Sequence, residues 1–220
     1  MRTKRSGFTL IELLIVIGIL AVLATITVLI LNPAQLFAQA RDTQRISEIQ
    51  SINRALQFAD LEGLPGGTPQ TVYISIPDTS STCATITGLP ALTPPWAYRC
   101  ATSANHRLTN GTGWIPVNFS SLSIGGGFSA LPVDPVNTAA NGYYYAYIPG
   151  SWVLTTTFES TKYITEKAPT DNGVDANTFE FGPDIALWGQ SGSAGAGGGG
   201  ANTAPTASGN SVTTAFNTPI

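Results

Sequence analysis

From Phe8 to Leu31 the chain is apolar on every face, with one charge, Glu12, in the whole run. Beyond Asn32-Pro33 the pattern changes: Leu36, Phe37 and Ala40, then Ile46, Ile49, Ile52, Leu56 and Ala59 recur at steps of three or four, the stripe of an amphipathic helix. Because that period resumes at once, Pro33 is expected to kink or loosen a long helix rather than end it. The other face carries Arg41, Asp42, Arg45 and Glu48. Their spacing predicts solvated helical ion pairs, Asp42 with Arg45 and Arg45 with Glu48, of a few tenths of a kcal/mol each. Gly63 followed by Pro65-Gly66-Gly67 is a strong stop. The first half of the element, residues 8–31, would reach ~36 Å at ~1.5 Å per residue, enough to cross a bilayer core of ~30 Å. The second half, 32–62, can pack on a domain.

After Gly67 the period shortens. Thr71 to Ile76 reads as a strand, and short strands are expected at Cys83-Ile86 and Ala97-Ala101 within an otherwise irregular stretch. Trp114 to Phe119 reads as extended, at a sheet edge because of Pro116. Gly125-Gly126-Gly127 is a hinge or loop, and no Gly-Lys-Ser/Thr follows it, so a phosphate-binding loop is discarded. The strongest hairpin signal joins Gly142-Tyr147 to Ser151-Glu159. Alternation in its second strand puts Trp152, Leu154 and Phe158 on one face and Val153, Thr155 and Thr157 on the other; the tyrosines of the first read as cross-strand packing. The expected fold is therefore α+β: a long N-terminal helix on a small antiparallel sheet, with a globular head over 63–188. Residues 189–220 hold no charge and read as a flexible Gly/Ala/Ser/Thr-rich tail, in which Ser211-Phe216 could pair as a strand but is expected to be disordered.

Composition adds orientation and compartment. Arg2, Lys4 and Arg5 precede the apolar run, which by the positive-inside rule keeps the N-terminus cytoplasmic and exports the head. Export gives meaning to the two cysteines, Cys83 and Cys100: in an oxidising compartment pairing is the default, and closing a loop of that length could contribute about 3 kcal/mol. The formal charge is −3; without those three basic residues, 7 Lys and Arg would face 13 Asp and Glu, giving −6. A mildly acidic chain with no later basic run does not indicate nucleic-acid binding through its bulk surface.

Catalysis needs convergent titratable groups. The sole histidine, His106, has no Asp or Glu within twenty residues, and neither a Gly-x-Ser-x-Gly elbow nor a His-Glu-x-x-His pair occurs, so no enzyme is expected. Asn110-Gly111-Thr112 and Asn118-Phe119-Ser120 match the short N-glycosylation pattern. A carboxylate inside a membrane run is costly, so Glu12 calls for a functional reason.

Gly7-Phe8-Thr9-Leu10-Ile11-Glu12, after a short basic prefix and before a long apolar helix, resembles the processing site of type IV prepilins and of the pseudopilins of type II secretion. The resemblance implies removal of leader 1–7 by a prepilin peptidase cutting between Gly7 and Phe8, then N-methylation of Phe8. It also implies an inner-membrane stage served by pilus or secretion machinery, and assembly with copies of the same chain. Glu12 matches the residue thought to set subunit register by pairing with a neighbour's N-terminal amine. Leu131-Pro132-Val133-Asp134-Pro135 and the hairpin after it resemble the Asp-Pro loop and hairpin of major pseudopilins and short-headed pilins. Some pseudopilins hold calcium near the end of the head. Here Asp171 and Asp175 are the matching candidates, but as an EF-hand loop the segment fails, with Ala176 where Gly is needed and Gly182 where Glu is needed. A solvated turn without metal is expected there, and no cofactor. Other readings of the N-terminus are a signal peptide cut at Ala38-Gln39-Ala40, for which the apolar run is too long, and an uncleaved anchor on a binding protein that never polymerises. The expected function is a structural subunit of a type IV pilus-like filament for adhesion, motility or DNA uptake, with a type II secretion pseudopilin as the alternative.

Overall fold

The computed structural model describes residues 7–123, 125 and 127–192. The basic prefix and nearly all of the predicted tail, including Ser211-Phe216, lie outside the described residues. Two helices lead the chain, α1 (Leu10–Leu31) and α2 (Pro33–Leu61), separated by Asn32 in a left-handed conformation (φ 39°). Pro33 opens α2, where its missing N–H costs nothing and its fixed φ suits a first turn. Gly63 closes it at φ 68°, with the Leu64 N–H reaching back to the Ala59 carbonyl at 2.9 Å.

The head is built on a five-stranded sheet of β1 (Thr71–Ile74), β2 (Ala97–Cys100), β3 (Ala146–Ile148), β4 (Val153–Thr157) and β5 (Thr178–Phe181), in the order β2-β1-β3-β4-β5. It is mixed, not wholly antiparallel: β1 and β2 run parallel, while the other three pairings are antiparallel. The expected hairpin is β3-β4, pairing Tyr147 with Leu154, although β3 is short because Asn141 (φ 59°) and Gly142 (φ 72°) hold the preceding chain in a tight turn. Two short helices, α3 (Thr161–Glu166) and α4 (Ala186–Gln190), complete the head.

Both sheet faces are covered. Ile49, Ile52, Leu56 and Ala59 of α2 pack with Tyr145, Tyr147, Leu154 and Phe158 on one face, while Val72, Ile74, Ala146, Val153 and Trp188 form a second cluster on the other. The alternation predicted for β4 therefore holds, and Tyr144, Tyr145 and Tyr147 are core residues. Cys83 and Cys100 are joined as a disulfide, with Cα atoms 5.3 Å apart, tying the loop after β1 to the end of β2.

Several expectations are corrected. Cys83-Ile86 forms turns, not a strand, because Cys83 adopts φ 58° and the Cys83 N–H bonds the Ser80 carbonyl. Trp114-Phe119 is not a strand, Asn118 making only an isolated bridge to Asn110, yet Trp114, Ile115, Val117 and Phe119 are all buried. The stripe of α2 is displaced at its start: Leu36 and Phe37 are exposed, whereas Ala38, Asp42 and Arg45 are buried. The solvated turn predicted around Asp171-Asp175 is instead a folded-in loop, with Asp175 only 5 % exposed.

Candidate functional site at the N-terminal helix

Among the described residues no side chain of helix α1 is buried. Its large apolar residues lie between about half and fully exposed, Leu13 at 57 %, Leu20 at 57 % and Ile26 at 46 %, and Leu10–Val28 is long and apolar enough to cross a membrane. The two hydroxyls in its second half are turned inward: Thr25 Oγ1 donates to the Ala21 carbonyl at 2.8 Å and Thr27 Oγ1 to the Ala24 carbonyl at 2.9 Å. A helix so arranged presents hydrocarbon to its surroundings and keeps its polar atoms satisfied within itself, as a lipid or dry protein setting requires.

Gly7, Phe8 and Glu12 come together at its start. Gly7 has no neighbour within 4 Å of where a side chain would begin, and Phe8 is 87 % exposed, so the bond between them is open to an approaching protein. Thr9 caps the helix and Glu12 completes a capping box: Thr9 Oγ1 accepts the Glu12 N–H at 3.3 Å, and the Glu12 carboxylate accepts the Thr9 N–H at 3.0 Å and the Thr9 hydroxyl at 2.8 Å. Both contacts to the carboxylate fall on Oε2. A carboxylate offers about four acceptor positions, so the geometry leaves Oε1 for a donor from outside the chain.

The other candidate residues lie in the head, away from this end. Asp171, Asp175 and Glu180 form a knot satisfied by the backbone: Asp171 accepts the Gly173 and Glu180 N–H groups at 2.8 and 2.6 Å, and Glu180 accepts those of Asp175 and Val174 at 2.9 and 2.8 Å. Burial pushes the Glu180 carboxyl up to about 8, against the pull of those two amides. Burial likewise raises Asp171. Among the described residues no group of three or more His, Cys, Asp or Glu side chains is arranged to hold a metal ion. His106 rests its Nδ1 on the Ser103 carbonyl at 2.9 Å.

Sequence reasoning missed the joint that carries the head. Arg45, fully buried, grips Asp134 with two nitrogens, Nε to Oδ2 at 2.6 Å and Nη2 to Oδ1 at 2.9 Å, and reaches Asp42 at 2.8 Å and Glu159 at 2.5 Å. The expected partner Glu48 instead accepts the Tyr145 hydroxyl at 2.5 Å. Asp42 also accepts the N–H groups of Glu159 and Ser160 and the Ser160 hydroxyl, and Arg41 forks onto Glu159. Burial alone would disfavour the Arg45 charge, but the bonds to Asp134, Glu159 and Asp42 outweigh it, and its pKa is raised. Asp134, in the expected Asp-Pro loop, also accepts the Val136 and Asn137 N–H groups at 2.8 and 3.2 Å. One helix turn is thereby bound to two head loops.

Comparison with protein-family models matches residues 2–28 to the family described as prokaryotic N-terminal methylation motif. Comparisons with curated proteins and with solved structures find no match to the chain. The bare apolar helix, its capped lone acid and the open Gly7-Phe8 bond thus coincide with the matched segment, and the chain carries the prepilin-type N-terminal methylation motif of type IV pilins and pseudopilins.

Proposed function

We propose that this chain is a structural subunit of a type IV pilus-like filament, cut between Gly7 and Phe8 by a prepilin peptidase, methylated on Phe8 and polymerised through α1. In this reading α1 holds the subunit in the inner membrane with the head exported, and assembly machinery then draws it into a helical stack of identical copies. The observation that carries it is the contrast between a head that packs both faces of its own sheet and a 22-residue apolar helix none of whose described side chains is buried. Extracting that helix from lipid requires an environment of equal apolarity, which the same helix on neighbouring subunits provides. Glu12 supplies the register: its free Oε1 accepts the Phe8 ammonium of a neighbour, and the pair neutralises both charges away from water.

Mass spectrometry of the native N-terminus and electron microscopy of sheared cell surfaces test this together. A chain beginning at methylated Phe8 in surface filaments supports it; intact Met1, or a start at Arg41, sinks it. The processed chain confined to short periplasmic assemblies would move the assignment to a type II secretion pseudopilin. Glu12→Ala is expected to insert in the membrane and keep a folded head while assembly falls by at least about tenfold, the effect of losing an interaction near 1.4 kcal/mol. Normal filaments from that variant would contradict the role given to Glu12.

A further inference from the structure

On the sheet face turned away from α2 lies a cavity of about 380 Å³, walled by Tyr144, Thr155, Thr157, Asn177, Thr178 and Trp188. Its walls come from five separate parts of the chain: the loop between β1 and β2, the turn before β3, the end of β4, the start of β5 with the loop leading into it, and α4. Gly142 keeps one side open, since a Cβ there would stand 3.0 Å from Thr157 Oγ1. The 175–178 corner is held firmly: the Asp175 carboxylate accepts the Asn177 N–H at 2.9 Å and the Thr178 hydroxyl at 3.2 Å. Trp188 is 4 % exposed, and its indole N–H meets no acceptor among the described residues.

We propose that this cavity binds a neutral saccharide ring. The lining selects for one by elimination. No Lys, Arg or His is among the residues that wall it, so an anion finds no counter-charge. Asp175 is the one carboxylate among the residues that wall it, 5 % exposed and tied to its own loop through Asn177 and Thr178, so a cation finds a single buried charge there. A purely apolar guest would strand the threonine hydroxyls and the asparagine amide, which costs more than leaving them wet. A ring bearing hydroxyls both donates and accepts, and its C–H face suits the two aromatic side chains.

The test is titration of the full chain in detergent with glucose, galactose and N-acetylglucosamine, followed by calorimetry and saturation-transfer NMR, with inorganic phosphate as the anionic control. At least one sugar is expected to saturate a single site with a Kd on the order of 1 mM, the scale for a ligand of that size. Thr157→Tyr fills the cavity from its half-buried rim without touching either core, and is expected to weaken binding at least tenfold at unchanged Tm. No saturation by any of the three sugars up to about 50 mM, equal binding by Thr157→Tyr, or competition by phosphate would overturn the proposal. Because the readout does not involve assembly, its failure leaves the filament reading untouched.

Discussion

Two buried side chains in the head carry testable costs. Thr156 is 1 % exposed and its hydroxyl has no hydrogen-bond partner among the described residues. It lies on the same strand face as Leu154 and Phe158, against the cluster under α2, and its register partner is Phe179. A buried unsatisfied hydroxyl is worse than a methyl of the same shape, so Thr156→Val should raise stability by about 1 kcal/mol in denaturant unfolding. Glu180 gives a pH signature. Its carboxyl is raised to about 8 in the folded chain from a reference of 4.5, so between those values the folded state binds the extra proton and stability falls as pH rises. The groups facing it are the Val174 and Asp175 amides and the Asp171 and Asp175 carboxylates. Unfolding free energy measured from pH 5 to 8 should decline, and Glu180→Gln should flatten that decline; an unchanged slope refutes the assignment. Glu159 acts in a separate window: burial raises it, but Arg41 and Arg45 outweigh that and hold it low, so its contribution is lost only as pH falls below the ordinary carboxylate range.

At the scale of elements, the joint between α2 and the head shows what could be read from the sequence and what could not. Ala38, Asp42, Arg45, Ile49, Ile52, Leu56 and Ala59 are all buried, and their steps of four, three, four, three, four and three form one unbroken stripe. The stripe is visible in the sequence only when followed by spacing. Following apolar residues leads instead through Leu36, Phe37 and Ala40, which face away from the head. The partners that make Asp42 and Arg45 acceptable in the interior, Asp134 and Glu159, lie 89 or more residues away, beyond the reach of any local pattern. Local signals did suffice for the stop at Gly63, the β3-β4 hairpin and the cysteine pair; at Pro33 they pointed to a continuing helix, whereas α1 ends at Leu31 and left-handed Asn32 (φ 39°) separates it from α2. They failed for β5, α3 and α4, which are short and fixed by tertiary contacts. Arg45→Met should lower stability by about 3–5 kcal/mol, because it leaves carboxylates buried without their cation. Denaturant unfolding of the variant measures it, and a loss under 1 kcal/mol would show the cluster to be solvated.

For the whole molecule, the N-terminal motif was legible because it is contiguous: Gly7, Phe8 and Glu12 need no tertiary structure to meet. The extent of the surface left for other copies was not, since it depends on where the head stops covering the helix. Phe37 is 66 % exposed and Leu36 50 %, just past the kink on a part of α2 that the head leaves open, so the apolar surface of α1 continues across the joint. Phe37→Glu is expected to leave the melting of the head within about 0.5 kcal/mol of the parent, as an exposed substitution should, while filaments fail to form in electron micrographs. Filaments of normal length and number would confine the contact to α1.

The cluster around Arg45 also decides where mechanical load enters the helix. A pull on the head is passed through Asp134 and Glu159 to Arg41, Asp42 and Arg45, about two and a half to three and a half helical turns beyond Asn32, whose left-handed backbone gives α2 no side-chain cap. Tension in the proposed filament is thus delivered near the break between α1 and α2, so a stretched fibre is expected to lengthen by straightening or unwinding there while the sheet above rides along.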